Sequence, residues 1–143
     1  QIQDKILVEK LSTKINLKDN LFNLKDNIVV FKPPETLIKA GYDSDIALIK
    51  RVIGIPGDKI EVKDGSLYLN DEIQNKFITD KNINYSIGPV IVPENSLWVM
   101  GDNRNNSLDS HVWGPLPYKK IIGRAFFRYW PLNHFGPIYF PAA

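Results

Sequence analysis

An all-β fold is predicted by three features of the sequence: apolar runs of strand length, turn residues between them, and one hairpin legible residue by residue. The runs Ile6-Leu7-Val8, Ile28-Val29-Val30-Phe31, Ala47-Leu48-Ile49, Val52-Ile53-Gly54-Ile55, Ile60-Glu61-Val62, Leu67-Tyr68-Leu69, Leu97-Trp98-Val99-Met100 and Ala125-Phe126-Phe127-Arg128-Tyr129 are long enough for strands and too short for helices. Between them stand Pro33-Pro34, Pro56-Gly57-Asp58, Asp64-Gly65, Gly88-Pro89, Pro93-Glu94-Asn95 and Gly114-Pro115, residue types that preset or permit turn geometry. The hairpin is Lys59-Ile60-Glu61-Val62-Lys63, Asp64-Gly65, Ser66-Leu67-Tyr68-Leu69, where Asp-Gly supplies the positive φ angles of a type I′ turn. Weak helix or turn patterns occur at Lys10 to Lys25 and Tyr118 to Ile122. The polar stretch Asn70 to Ser86 reads as loops or as part of a small β side lobe over residues 64–95, too poor in apolar residues to be a domain of its own.

At 143 residues the chain has the size of one domain, and 43% hydrophobic with 24% charged residues suits a globular core. The 18 Lys and Arg against 16 Asp and Glu leave a net charge of +2 with the basic residues scattered, so no nucleic-acid surface is indicated. The lack of cysteine excludes disulfides, thiolate nucleophiles and cysteine metal sites, and His111 and His134 are too few for a histidine-rich zinc site. No motif calls for a cofactor. No stretch reaches the roughly 18 apolar residues of a membrane helix, and the opening Gln1-Ile2-Gln3-Asp4 has neither a methionine nor a signal-peptide pattern, so the chain reads as an excerpt.

Chemistry-bearing residues concentrate in two places. The first is the polar segment Gly101 to Gly114, directly after the apolar run Leu97 to Met100. A long surface turn would use Asp, Asn and Ser to bond their own backbone. A calcium loop does not fit, because Arg104 stands where a ligand is needed and the sixth position is not glycine. Asp109-Ser110-His111 has the residue types of a catalytic triad, but triad members meet through space and are not usually sequence neighbours.

The second place is Lys50-Arg51 within the apolar run Leu48 to Ile55. Strand alternation sends the two cations to opposite faces. Either both reach water or carboxylates, or a covered face desolvates one of them. A buried lysine loses stability in its charged form, by about 1.4 kcal/mol for each unit of pKa shift, and a neutral lysine can take a proton from a serine hydroxyl. An unpaired lysine of that kind would be replaced by methionine with a gain in stability.

These two segments, Ile49-Lys50-Arg51-Val52-Ile53-Gly54-Ile55-Pro56-Gly57-Asp58 and Gly101-Asp102-Asn103-Arg104-Asn105-Asn106-Ser107-Leu108-Asp109-Ser110, resemble the signature boxes of type I signal peptidases. Asn27-Ile28-Val29-Val30-Phe31-Lys32-Pro33-Pro34 resembles the strand that precedes the lysine box, and the likeness runs from residue 1 to about Pro131. His111-Val112-Trp113-Gly114-Pro115-Leu116-Pro117 and Phe127-Arg128-Tyr129-Trp130-Pro131 look most like the cyanobacterial and plastid branch. The resemblance implies coiled antiparallel β-sheets of the type shared with SOS-repressor proteases, with a small side lobe. It implies a membrane-anchored serine endopeptidase with a Ser/Lys dyad, which removes signal peptides from exported preproteins after small residues at P3 and P1, on the periplasmic or thylakoid-lumen face. Lys50 matches the general base and Ser107 the serine that orients it, while Arg51, Asp102, Arg104 and Asp109 match supporting charges. Ile6, Val30, Phe31, Leu48 and Ile49 match cleft walls for an extended peptide.

One departure stands out. The family nucleophile lies in a Ser-Met-x-Pro-Thr box upstream of the segment resembling Gln1 to Lys10, and these 143 residues do not contain it. As written, the chain is expected to be inactive. The rival readings are a noncatalytic β module that binds extended peptides and an SOS-repressor-type autoprotease, though no DNA-binding helical segment is evident. Trp98, Trp130 and the tail Phe135 to Phe140 offer rings for a lipid surface or for core packing.

Overall fold

The computed structural model describes residues 6–10, 17–78, 82–127 and 138–139. In chain order its strands are β1 (Ile6–Lys10), β2 (Ile28–Phe31), β3 (Ile46–Gly54), β4 (Lys59–Lys63), β5 (Ser66–Leu69), β6 (Glu72–Gln74), β7 (Ile87–Ile91), β8 (Ser96–Met100), β9 (Leu116–Pro117), β10 (Ile121–Phe127) and β11 (Ile138–Tyr139). Two short helices, α1 (Glu35–Lys39) and α2 (Ser110–Trp113), and 3-10 turns at Leu17–Leu24, Arg104–Asn106 and Tyr118–Lys120 complete the described elements. All strand pairings are antiparallel, in agreement with the predicted class.

The larger sheet runs β1-β10-β2-β3-β8-β9, with β11 added to β3. Its central strand β3 joins two apolar runs across Lys50-Arg51, and it is covered on both faces. Leu48 and Val52 pack on one side with Val29, Phe31, Leu97, Trp113 and Leu116. On the other side Ile49 meets Ile28, Val30, Ala47 and Ala125, and Ile53 enters a further cluster with Ile60, Val62, Leu67, Trp98 and Met100. Such two-sided burial is why β3 reads as a nearly continuous apolar run.

The smaller sheet, β6-β5-β4-β7, forms a lobe. Asp64 and Gly65 have φ of 51° and 82°, as the type I′ turn requires, and the register from Lys63↔Ser66 to Ile60↔Leu69 is the expected hairpin. A second two-residue turn of the same hand follows at Asn70-Asp71, with φ of 53° and 70°. The Asn70 carboxamide steadies it by accepting from the Lys59 N–H at 2.9 Å and donating to Asp58 at 3.0 Å. That turn adds β6, which favours the β-lobe alternative over loops for the first part of the polar stretch. Gly88-Pro89, expected as a turn, lies within β7 instead. There the proline is tolerated because β7 is an edge strand among the described residues, where one side of the strand needs no ladder N–H.

The lobe does not own its core, since Ile53, Trp98 and Met100 of the larger sheet supply part of it. Gly54 sits at this junction, at the register shift opposite Trp98. A Cβ there would stand 2.8 Å from Ile60 Cδ1, 3.1 Å from Val92 Cγ2 and 3.2 Å from Trp98 Cβ. Gly54→Ala is therefore expected to destabilise the fold by about 1–3 kcal/mol through overpacking, read as a lower urea midpoint.

Candidate active site

Sheet register builds the site. Met100, the last residue of β8, pairs with Arg51, so the chain leaves the sheet beside Lys50. Gly101 occupies that exit, where a Cβ would collide with the Ser107 side chain and lie 3.6 Å from Lys50 Nζ. A glycine is the residue that lets the loop pass so close.

Arg51, on the face opposite Lys50, ties the loop to the sheet. Its Nε and Nη2 donate to the two oxygens of Asp102 at 3.0 and 3.1 Å, and both side chains are almost fully buried. Its Nη1 donates to the Asp26 carbonyl at 2.9 Å, and the Phe77 ring covers the guanidinium at 3.8 Å. Arg104 is also buried and donates from Nε to the Gly101 carbonyl at 2.8 Å. Burial pulls its guanidinium below the ordinary value, opposed by Asp102, Tyr85 and Asp109.

On the other face Lys50 Nζ donates to Ser107 Oγ at 2.6 Å, and the Ser107 hydroxyl in turn donates to Asp109 Oδ1. The second Asp109 oxygen accepts the Gly101 N–H at 2.8 Å. Asp109 Oδ1 also stands 3.0 Å from Lys50 Nζ, with the lysine side chain 17% exposed and the carboxylate 0%. The structure thus brings Lys50, Ser107 and Asp109 together and sets Arg51, Asp102 and Arg104 around them. It corrects one expectation, because Lys50 is not an unpaired buried amine: a buried carboxylate has folded in beneath it.

Asp109-Ser110-His111 is not a triad. The Ser110 hydroxyl is buried and accepts the Val99 N–H at 3.0 Å, which commits it to β8. The His111 ring instead stacks on Tyr85, with centroids 3.9 Å apart and planes 6° from parallel. Of the expected cleft walls, Val30 and Phe31 are wholly enclosed at 0% exposure, whereas Leu48 and Ile49 keep 8% and 7%. Ile6 is placed in β1, paired with Phe127, and its side chain lies outside the described residues. Trp98 is a core residue at 3% exposure, while Trp130, Phe135 and Phe140 fall outside the described residues. Among the described residues no three His, Asp or Glu side chains could hold a metal together, and no helix is long and apolar enough to cross a membrane. Sequence reasoning placed Gly101 and Asn105 in the polar segment without a role of their own and did not single out Tyr85, because their parts depend on which loops cross.

Burial lowers the His111 imidazole from its ordinary value, helped by Lys50 and opposed by Asp109. The unfolded chain then binds a proton at higher pH than the native one, so the histidine's share of stability is complete above the unfolded pKa of about 6.5 and is lost as pH falls below it. Urea unfolding at about pH 7.5 and about pH 5 should show a smaller acid loss for His111→Phe, which keeps the ring and removes the titration.

Residues 1–130 match the family described as signal peptidase, peptidase S26. A protein named "Probable thylakoidal processing peptidase 2, chloroplastic" from Arabidopsis thaliana is 43% identical over 130 residues, covering 91% of this chain and 34% of its own length. "Probable signal peptidase I-2" of Synechocystis sp. is 40% identical over 136 residues, covering 95% of this chain and 59% of its own. The crystal structure of a signal peptidase I from Enterococcus faecalis V583 shares the fold, with a TM-score of 0.55 at 24% identity over 70% of this chain and 93% of that one. The chain therefore spans a part of the relatives it matches, and it belongs to the peptidase S26 signal peptidase family.

Proposed function

We propose that this chain carries the general base and its supports for a membrane-associated serine endopeptidase that removes N-terminal signal peptides from exported preproteins after small residues at P3 and P1. The observation that carries the reading is the 2.6 Å bond from Lys50 Nζ to Ser107 Oγ, made between a central strand and a loop 57 residues further on. Ser107 orients the amine rather than attacking, since its own proton is held by Asp109 and its oxygen accepts from the lysine. The nucleophile is the serine of the Ser-Met-x-Pro-Thr box, which these 143 residues do not include.

In this mechanism Lys50 first gives up its ammonium proton to solvent water. The neutral amine takes the nucleophile's hydroxyl proton as the serine oxygen bonds to the scissile carbonyl carbon. The resulting ammonium protonates the leaving amine as the C–N bond breaks. Water then hydrolyses the acyl-enzyme, with Lys50 again the base. Leu48 and Ile49 are the wall residues with surface left to meet a small side chain. In this reading the catalytic domain works at a lipid surface on the periplasmic or thylakoid-lumen face, and the thylakoidal name of one relative supports the second of these.

The test uses protein with the nucleophile box in place and a peptide bearing Ala at P3 and P1. Lys50→Arg should abolish cleavage after the P1 residue, because arginine keeps the charge and cannot be deprotonated. Retention of even about a tenth of wild-type turnover would refute the general-base role.

Stability gives a separate check on the ion pair. Lys50→Met is expected to cost about 2–3 kcal/mol, short of the range for fully dry pairs because the lysine keeps 17% exposure, since it strands the buried Asp109 carboxylate. Adding Asp109→Asn should restore most of the loss, and urea unfolding of the four proteins in the cycle measures the coupling.

A further inference from the structure

Ser107 and Asp109 lie on a short stretch of loop that is pinned at both ends to one segment of the lobe. At the near end the Asn105 carboxamide makes two bonds to that segment's backbone. Its Oδ1 accepts the Asn84 N–H at 2.7 Å, and its Nδ2 donates to the Asn82 carbonyl at 2.7 Å. A primary amide used this way replaces a missing strand neighbour, offering one donor and one acceptor to an extended chain. At the far end His111 stacks on Tyr85, the next residue of the same segment.

The segment is itself anchored between these pins. The Ile83 N–H donates to the Gly65 carbonyl at 3.0 Å, and the Ile83 side chain, 4% exposed, is sealed in the lobe core. Residues 82–85 therefore form a strap running from the hairpin turn of the lobe to the loop that faces Lys50.

We propose that Asn105 and His111 are positioning residues, which use this strap to hold the intervening Ser107 and Asp109 against Lys50. The inference rests on the functional reading above and extends it to residues beyond those bonded to the lysine. The opposite side of the loop is held by Ser110 on β8 and by Asp109 on Gly101, so the strap fixes the remaining side. Without it the Ser107 oxygen is free to drift from the amine, and misplacement by about 1 Å is enough to cost up to a hundredfold in rate.

The experiment compares the full-length protein, with its nucleophile box, against Asn105→Ala, Asn105→Asp, His111→Ala, His111→Phe and Lys50→Ala, using the same peptide. Asn105→Ala and His111→Ala should lower kcat by about tenfold or more while KM stays within about twofold, because the loss lies in orientation and not in binding. Asn105→Asp should do no better than alanine, since it sets a carboxylate oxygen against the Asn82 carbonyl. His111→Phe keeps the stacked ring and should restore most of the rate. Hydrogen exchange should show the Asn84 amide losing protection in Asn105→Ala while the amides of β4 and β5 keep theirs.

If Asn105→Ala does not fold, the contrast between His111→Ala and His111→Phe decides alone. Wild-type kcat in both alanine variants, with Lys50→Ala inactive, would overturn the positioning role and leave the functional reading standing. Wild-type cleavage by Lys50→Ala would overturn the functional reading, and this inference with it.

Discussion

The buried bidentate pair between Arg51 and Asp102 is the constraint on which the rest of the site depends. Two flat ions locked in parallel leave almost no rotational freedom, so the first residues of the loop are fixed relative to β3. Because neighbouring strand residues point to opposite faces, the side chain that bolts the loop down and the side chain the loop serves are adjacent in sequence and never compete for space. Asp102 is held on one face while Ser107 and Asp109 come round the end of β8 to the other.

A buried pair of this kind adds little to net stability, because the cost of drying both ions is close to what their attraction returns. Its value is geometric. Arg51 also bonds the Asp26 carbonyl and lies beneath Phe77, so the bend before β2, the loop after β8 and the end of the lobe meet at one guanidinium. Arg104, buried nearby with its Nη1 unpartnered among the described residues, is the less settled of the two arginines. The cluster places its bidentate cation-anion geometry at the bolt and leaves the Lys50 side chain 17% exposed.

Much of this was legible in the residues. The Asp64-Gly65 hairpin followed from turn chemistry alone, and Lys50 stood out as a cation within a run too apolar for a surface strand. The opposite facings of Lys50 and Arg51 followed from period two. What escaped notice depended on tertiary crossings. The polar stretch after Leu69 left loops and a β lobe undecided, because Asn, which tolerates positive φ better than other non-glycine residues, serves tight hairpin turns and loops alike. Gly88-Pro89 looked like a turn because edge position cannot be seen locally. The Lys50 environment was misjudged for a related reason. Strand burial was evident, but not that a carboxylate two residues beyond Ser107 would fold under the amine. Asp109 holds that place because its carboxylate accepts the Gly101 N–H and the Ser107 hydroxyl, partners that only the folded loop brings to it.

The core shared by Ile53, Trp98 and Met100 with the lobe has a consequence for how the molecule comes apart. These residues belong to the two strands that also carry Lys50, Arg51 and the root of the loop after β8. Peeling the lobe away would expose the underside of the strands that form the site, so no partly opened state can shed the small sheet and keep the large one intact. Lobe and site belong to a single cooperative unit, and damage at the distant hairpin would register as wholesale unfolding rather than as a loosened appendage.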